Sequence, residues 1–289
     1  MRKGKKKRIG LTIFLVLGIA LCISIVVSNT LIVVTEYTIA SAKLPASFSG
    51  FRIVQVSDLH SKDFGNYLIR QIQQQRPDIV VMTGDMVNSY DSDFQTFLTF
   101  AEQVSDQYET YYIVGNHEQI LKESKREELL HRLTAMGITV LDNTSVELSR
   151  DGDVIDLYGM WFNLRYYKDV TAEYTQDIMF TEKTMVQILG SANPSHFTLL
   201  LTHNPLYFSA YAAWGADLTL AGHIHGGMIR IPFVGGLFSP EKDIFPKYSG
   251  GLYALGQRQM VVNRGLGNGG LGFRIANCPD LSVITLIRS

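Results

Sequence analysis

Five short, β-rich apolar stretches in this 289-residue chain each run directly into a loop carrying histidine, aspartate or asparagine. Phe51-Arg52-Ile53-Val54-Gln55-Val56 leads into Ser57-Asp58-Leu59-His60, and Asp78-Ile79-Val80-Val81-Met82 leads into Thr83-Gly84-Asp85. Tyr111 to Val114 leads into Gly115-Asn116-His117-Glu118, Phe197 to Leu201 into Thr202-His203-Asn204, and Asp217 to Ala221 into Gly222-His223-Ile224-His225. Such runs read as strands, and the helix-like periodicity between them is the alternation of an α/β chain. In α/β sheets ligands collect beyond the carboxyl ends of the strands, so these five loops can share one site. Helices are expected over Tyr67 to Gln75, Phe94 to Asp106 and Glu118 to Met136, the last stopped by Gly137. Leu31 to Ala40 reads as a strand, and the alternation from Leu281 to Ile287 as a closing one. No internal repeat, low-complexity tract or second domain boundary interrupts the pattern.

Five of the seven histidines (His60, His117, His203, His223, His225) lie in these loops beside Asp58, Asp85 and Asn116; only His131 and His196 fall outside. A single Asp-x-His is common, but the ordered set of five loops points to a shared metal site. Of the two cysteines, Cys22 lies in the amino-terminal apolar run and Cys278 near the other end of the chain. That excludes a disulfide scaffold and a Cys-rich zinc site, so a bound metal must be held by nitrogen and oxygen. Imidazole with carboxylate suits Mn, Fe, Zn or Co better than Ca or Mg.

The series Ser57-Asp58-Leu59-His60, Gly84-Asp85, Gly115-Asn116-His117-Glu118, Thr202-His203-Asn204 and Gly222-His223-Ile224-His225-Gly226-Gly227 resembles the calcineurin-like metallophosphoesterase superfamily, over nearly all of the chain from about Thr38. It is most similar to the bacterial membrane-associated branch, which includes phosphodiesterases and sugar-lipid diphosphatases. The resemblance implies a four-layer αββα sandwich with a dinuclear site at one edge. By motif, Asp58, His60 and His225 hold a first metal, Asn116, His203 and His223 a second, and Asp85 bridges both. The cofactors implied are two divalent transition-metal ions, with Mn, Fe or Zn foremost. Two cations ~3.5–4 Å apart bind a phosphoryl oxygen, lower the pKa of a bridging water and neutralise developing charge. The expected mechanism is attack of a metal-bridging hydroxide on phosphorus. His117, not assigned as a ligand, protonates the departing oxygen, and Asn116 reaches both a cation and a phosphate oxygen. Glu118 is read as a helix-starting acid rather than as a hydrogen-bond partner of a ligand.

Three weaker signals surround this set. The stretch from Asn263 to Gly270 is glycine-rich but is followed by no helix pattern, so it is turn chemistry and not a P-loop. By the resemblance it borders the metal site, which makes Arg264 and Arg274 candidate contacts of a substrate anion. Phe233, Phe238, Phe245 and Tyr248 belong to a loop directly after His225 that is expected beside the site, where it would suit an apolar or lipid-linked substrate. Trp161 to Tyr167 matches no motif.

No residue from Ile9 to Val34 is charged, and the ~20 residues needed to span a bilayer fit within that run. Ile9 to Val27 reads as a membrane helix, longer than the ~7–15 residues of a signal-peptide core. A cut at Ala40-Ser41-Ala42, the cleavable alternative, would fall inside the strand. Arg2, Lys3, Lys5, Lys6, Lys7 and Arg8 precede the helix, which places that end in the cytoplasm and the rest outside. Residues 1–34 are thus the basic terminus and single-pass anchor, and 35–289 the catalytic domain. Those six are drawn from 26 basic residues, leaving 20 against 27 acidic, and no later stretch forms a basic face. Nucleic acid is therefore not an expected partner. The sequence reads as a phosphodiesterase or phosphohydrolase acting on a cell-envelope phosphate ester or diphosphate. The alternatives are a UDP-sugar-lipid diphosphatase, which requires a cytoplasmic site, and an inactive anchored binding module.

Overall fold

The computed structural model describes residues 2–167, 179–240, 242–269 and 272–289, with side chains described from Ile9 onward. The basic cluster Arg2 to Arg8 therefore enters only as helix backbone, and Gly270 lies outside the described residues. Helix α1 (Arg2–Thr30) contains the uncharged run, and Ile9–Thr30 is the one helix among the described residues long and apolar enough to cross a membrane. Its 22 residues span ~33 Å at 1.5 Å each, matching a ~30 Å hydrocarbon layer.

The sheets begin almost at once. β1 (Val33–Ser41) and β2 (Arg52–Val56) are followed by α2 (Asn66–Gln75), β3 (Ile79–Met82), α3 (Gln95–Ser105) and β4 (Glu109–Tyr112). Next come α4 (Asn116–Ile120), α5 (Glu123–Ala135), β5 (Thr139–Val140), β6 (Thr144–Arg150) and β7 (Asp153–Met160). The second half contains α6 (Glu182–Leu189), β8 (Thr198–Thr202), α7 (Phe208–Trp214) and β9 (Leu218–Ala221). A small ribbon of β10 (Arg230–Ile231) and β11 (Gly235–Gly236) precedes β12 (Gly251–Leu255), β13 (Arg258–Val262) and β14 (Asp280–Arg288).

Two six-stranded sheets result, in the orders β1-β14-β2-β3-β4-β5 and β12-β13-β9-β8-β7-β6. β2, β3, β4 and β5 are mutually parallel, as are β7, β8, β9 and β13. Strand alternation decides which way each side chain faces. Ile53, Ile79 and Val81 face Leu199, Leu201, Leu218 and Leu220 in a core between the sheets. Their neighbours Val54, Val80 and Met82 point the other way and pack on α2, α3 and α5 through Leu68, Ile72, Phe97, Val104, Leu129 and Leu133. On the far side, Tyr158, Met160 and Leu200 pack against Met185 of α6 and Tyr211 and Trp214 of α7. The layers are helix, sheet, sheet, helix, as the resemblance implied.

The single helix expected from Glu118 to Met136 is two. Leu121 and Lys122 are extended, with ψ of 150° and 137°, and separate α4 from α5. Each half answers to a different neighbour: α4 is tied through Glu118 to the loop after β3, whereas α5 must turn to set Leu129 and Leu133 on the sheet.

Candidate metal centre

All five loops emerge from the carboxyl ends of parallel strands: three from the first sheet after β2, β3 and β4, two from the second after β8 and β9. The two sheets therefore deliver Asp58, His60, Asp85, Asn116, His203, His223 and His225 to one edge of the sandwich, all buried. The backbone turns sharply to do so. Asp58, His60, Asp85, His223 and His225 have φ between 49° and 70°, the left-handed region that costs a non-glycine residue about 1–3 kcal/mol. Five such residues at one point mark a site whose geometry is held against local preference. The loops hold one another: Asp58 N–H donates to Gly84 O and His60 N–H to Asp85 O, both at 3.0 Å. Gly115 passes so close to Asp85 that a Cβ there would overlap the carboxylate.

Among the described residues, Asp58, His60 and His225 make one group of potential ligand atoms and Asp85, His203 and His223 a second, with ligand atoms of each group within 4.8 Å of one another; His60, Asp85 and His117 make a third that overlaps both, and Glu147, Asp156 and His196 a fourth. Asp85 lies between them, its Oδ2 3.1 Å from His203 Nε2 and 3.9 Å from His60 Nε2. Nε2 of His60 and Nε2 of His225 are 3.1 Å apart, and His225 Nε2 is 3.5 Å from Asp58 Oδ1.

Hydrogen bonds on the outer side of the rings fix their tautomers. His203 Nδ1 lies 2.7 Å from Thr83 O, which only accepts, so Nδ1 carries a proton and Nε2 is the nitrogen that faces the cluster. The Oδ1 of Asn88, 3.0 Å from His60 Nδ1, does the same for that ring. His225 is the exception, with the donor-only guanidinium of Arg274 3.3 Å from its Nδ1. The proton on its Nε2 then joins it to His60, in the place where a cation would bind. Burial, followed by the neighbouring positive groups His60 and Arg274, lowers His225 well below the usual imidazole range. Burial lowers His60 to about 4 against the pull of Asp85. His203 goes the other way: burial opposes its charge, but the Asp85 carboxylate overrides it and pushes the ring up to about 10. Asp85, despite its own burial, is held well below the usual carboxylate range by His203, His117 and His60.

The residues fit a pair of cations. Among the described residues Asn116 Oδ1 is buried without a hydrogen-bond donor, and His203 Nε2 faces the carboxylates of Asp85 at 3.1 Å and Asp58 at 3.8 Å. Buried polar atoms are almost always satisfied, so a buried acceptor beside a ring nitrogen that faces two carboxylates fits a bound cation.

His117 stands beside that point, its ring edge-on to His60 with centroids 4.7 Å apart and a ring nitrogen grouped with His60 and Asp85. Ser89 N–H donates to its Nδ1 at 3.1 Å, which leaves the ring proton on Nε2, and its own backbone N–H donates to Asp85 Oδ1 at 2.8 Å. It borders a cleft of about 320 Å³ together with Asp85, Asn116, His223, His225, Met228, Phe238, Pro240 and Lys242.

Glu118 is a correction to the sequence reading. It does begin α4, accepting from Gly115 N–H at 2.9 Å, but the same buried carboxylate also accepts from Asp85 N–H at 3.0 Å and Met86 N–H at 2.7 Å. It is the brace beneath the Asp85 loop. Burial, then the nearby Asp85 charge, push it up to about 7. Replacing Glu118 with Gln turns an amide N–H₂ toward those donors and is expected to cost about 2–3 kcal/mol. A Tm lower by about 5–10 °C in thermal unfolding at pH 8 is the measurable result.

Arg264 and Arg274 do not line the cleft. Arg264 pairs with Asp280 at 3.0 Å, and the fully buried Arg274 donates to backbone carbonyls of Gly267 and Arg264. Of the loop aromatics, Phe238 borders the cleft, Tyr248 is buried against Phe208 and Tyr253, and Phe233 and Phe245 are exposed. The sequence reading missed Asn88, Lys242 and Tyr167, whose ring stands edge-on to His223 with centroids 5.0 Å apart. Asn88 follows Asp85 by three residues in the same loop, a position that proximity alone could have flagged.

The model of the family described as calcineurin-like phosphoesterase matches residues 51–227, which contain all five loops. The chain belongs to this family. Among its relatives, the uncharacterized metallophosphoesterase YkuE of Bacillus subtilis is 30% identical over 87% of this chain and 84% of that protein. Phosphodiesterase YaeI of Escherichia coli is 27% identical over 82% of each. A bovine transmembrane protein with metallophosphoesterase domain is 28% identical over 75% of this chain, which spans about half of that protein (52%). For this calcineurin-like phosphoesterase the two groups meeting at Asp85 are therefore candidate ligands in a family whose chemistry is metal-dependent hydrolysis of phosphate esters.

Proposed function

We propose that this chain is a dinuclear phosphoesterase, tethered to a membrane by residues 1–34, whose domain of residues 35–289 cleaves a P–O bond in a cell-envelope phosphate compound. The observation that carries this function is the placement of Asp85 between two separate sets of ligand atoms at one strand-end edge. Asp58, His60 and His225 would hold one cation, Asn116, His203 and His223 the other, and Asp85 both, with Mn, Fe or Zn suited to these donors. Bound there, the cations supply Lewis-acid activation of water and neutralise charge on the phosphoryl oxygens. The chain's own residues do the rest. Asn116, at the amino terminus of α4, directs its amide into the cleft, where it can orient a phosphate oxygen. His117 offers the proton on Nε2 to the departing oxygen.

Lys242, also on the cleft wall and with no carboxylate partner among the described residues, is suited to a further substrate oxygen. Replacing it with Ala is expected to raise KM about three- to tenfold with kcat nearly unchanged, the pattern of a contact made equally before and during reaction. Membrane attachment draws support from the 22-residue apolar helix and from the transmembrane label of the bovine relative. An outward-facing domain follows from the basic residues ahead of that helix.

The test is hydrolysis by the full chain in detergent, supplied with Mn, Fe or Zn, of a diester, a monoester and a lipid-linked diphosphate. Release of product from any of them supports the phosphoesterase, and the ranking names the bond. A folded protein that binds metal yet releases nothing from all three would leave an anchored binding module.

A further inference from the structure

The end of α1 is docked on the catalytic domain. Asn29 makes a reciprocal pair of bonds with the backbone of Arg274, at 3.0 and 3.2 Å, while Ser28 Oγ and Ser24 Oγ accept from Asn277 and Ala276 N–H, both at 3.2 Å. Ser24 and Ser28 are four residues apart and so share one helix face. Ser24 lies six residues inside the end of the apolar helix, or ~9 Å along its axis. The segment around Ala276 is thus held at the depth where the helix leaves the hydrocarbon.

The small β10–β11 ribbon lies against that same segment. Arg230 N–H donates to Ile275 O at 3.1 Å, and Ala276 shares a surface hollow with residues 230–235. Its tip is Ile231-Pro232-Phe233-Val234, closed by Val234 N–H to Ile231 O at 3.1 Å. In a turn with proline second and a positive φ third, the third place belongs by preference to glycine. Here it is Phe233, at φ 66° and with its side chain fully exposed, beside Val234 at 63% exposure. Neither strain nor exposure of a phenylalanine serves a tip surrounded by water.

We propose that this tip is a second membrane contact, in which Phe233 and Val234 enter the lipid–water interface beside the end of α1, in the leaflet on the catalytic-domain side. The occupant is a bilayer because the tip is continuous, through Ala276, with a helix of membrane-spanning length and composition; the proposal rests on reading α1 as that anchor. Insertion of such side chains ~5–10 Å into the headgroup and acyl boundary is the usual depth of an interfacial element. The chain runs from this ribbon into Phe238, Pro240 and Lys242 of the cleft wall, so contact at the tip ties the cleft to the lipid surface.

The experiment places a tryptophan at Phe233 (Phe233→Trp) in the full chain, reconstituted in phosphatidylcholine bilayers with or without brominated acyl chains, and reads its emission above that of the native Trp161 and Trp214. Phe14→Trp within α1 reports the anchor, Val186→Trp on α6 a surface remote from it, and Val234→Trp repeats the measurement one residue on. The expected result is a blue shift and loss of most of the added emission with brominated lipid at 233, 234 and 14, and neither at 186. Quenching at 14 but not at 233 or 234 would overturn the proposal while leaving the anchor intact. A blue shift at 233 that bromine leaves unchanged would assign the tip to another protein surface, such as a second copy. No quenching at 14 would remove the anchor and the proposal with it.

Discussion

Replacing Asp85 with Asn is expected to lower phosphoester turnover on the order of 10³-fold or more, with the fold retained. Asp85 touches both groups of ligand atoms: it reaches toward His203 at 3.1 Å, toward His60 at 3.9 Å and accepts from the backbone of His117 at 2.8 Å, while the Asp58 carboxylate lies 3.5 Å from His225 and 3.8 Å from His203. Asparagine keeps the volume and one oxygen but removes the charge and turns an amide N–H₂ toward one of these partners. The neighbouring Glu118 brace supports the loop through backbone groups that the substitution leaves in place, so circular dichroism should match the parent. Metal content by plasma mass spectrometry should fall together with kcat. A variant that retains both would show that the two groups act without a shared carboxylate.

Replacing His117 with Gln is expected to divide substrates by their leaving group. On an alkyl phosphodiester, whose departing oxygen needs a proton, kcat should fall about 10²–10⁴-fold. On a p-nitrophenyl ester, whose leaving group departs without one, the loss should be within about tenfold. The reason lies in the proton's location: Ser89 N–H occupies Nδ1 at 3.1 Å, so the neutral ring has its proton on Nε2 at the cleft. The ring also packs edge-on against His60 with centroids 4.7 Å apart. If its task were only to support His60, both substrates would lose equally, and steady-state kinetics on the pair separate the two roles.

The strand-end loops were legible in the sequence because two constraints coincide in them. A parallel strand buried on both faces must be apolar throughout, as Ile79 to Met82 is, and the polar residues that follow it can lie only at the sheet edge. That arrangement makes Asp58, Asp85, His203 and His223 candidates from the sequence alone, and the strands from Leu31 and from Leu281 appear within two residues of their observed bounds. The role of Glu118 was not legible. An acid at the third position of a helix is ordinary, and its bonds to Asp85 and Met86 depend on how α4 crosses beneath a loop 32 and 33 residues earlier. The contact of Asn88 with His60 and that of Arg274 with His225, where the sequence suggested a substrate anion for the arginine, were hidden for the same reason, since each histidine is brought near only by the fold. The break at Leu121 escaped notice because helical periodicity continues across it, and only the competing demands of site and core separate α4 from α5.

The central claim is that two cations at one edge, joined by Asp85, make this chain a phosphoesterase. It is tested most directly by stripping metal from the full chain in detergent and titrating Mn back while bound metal and hydrolysis of bis-p-nitrophenyl phosphate are followed together. Turnover is expected to be absent without metal and to rise as two equivalents bind per chain, with none regained by the Asp85→Asn variant. Full turnover at one equivalent, or turnover that survives stripping, would contradict the dinuclear centre.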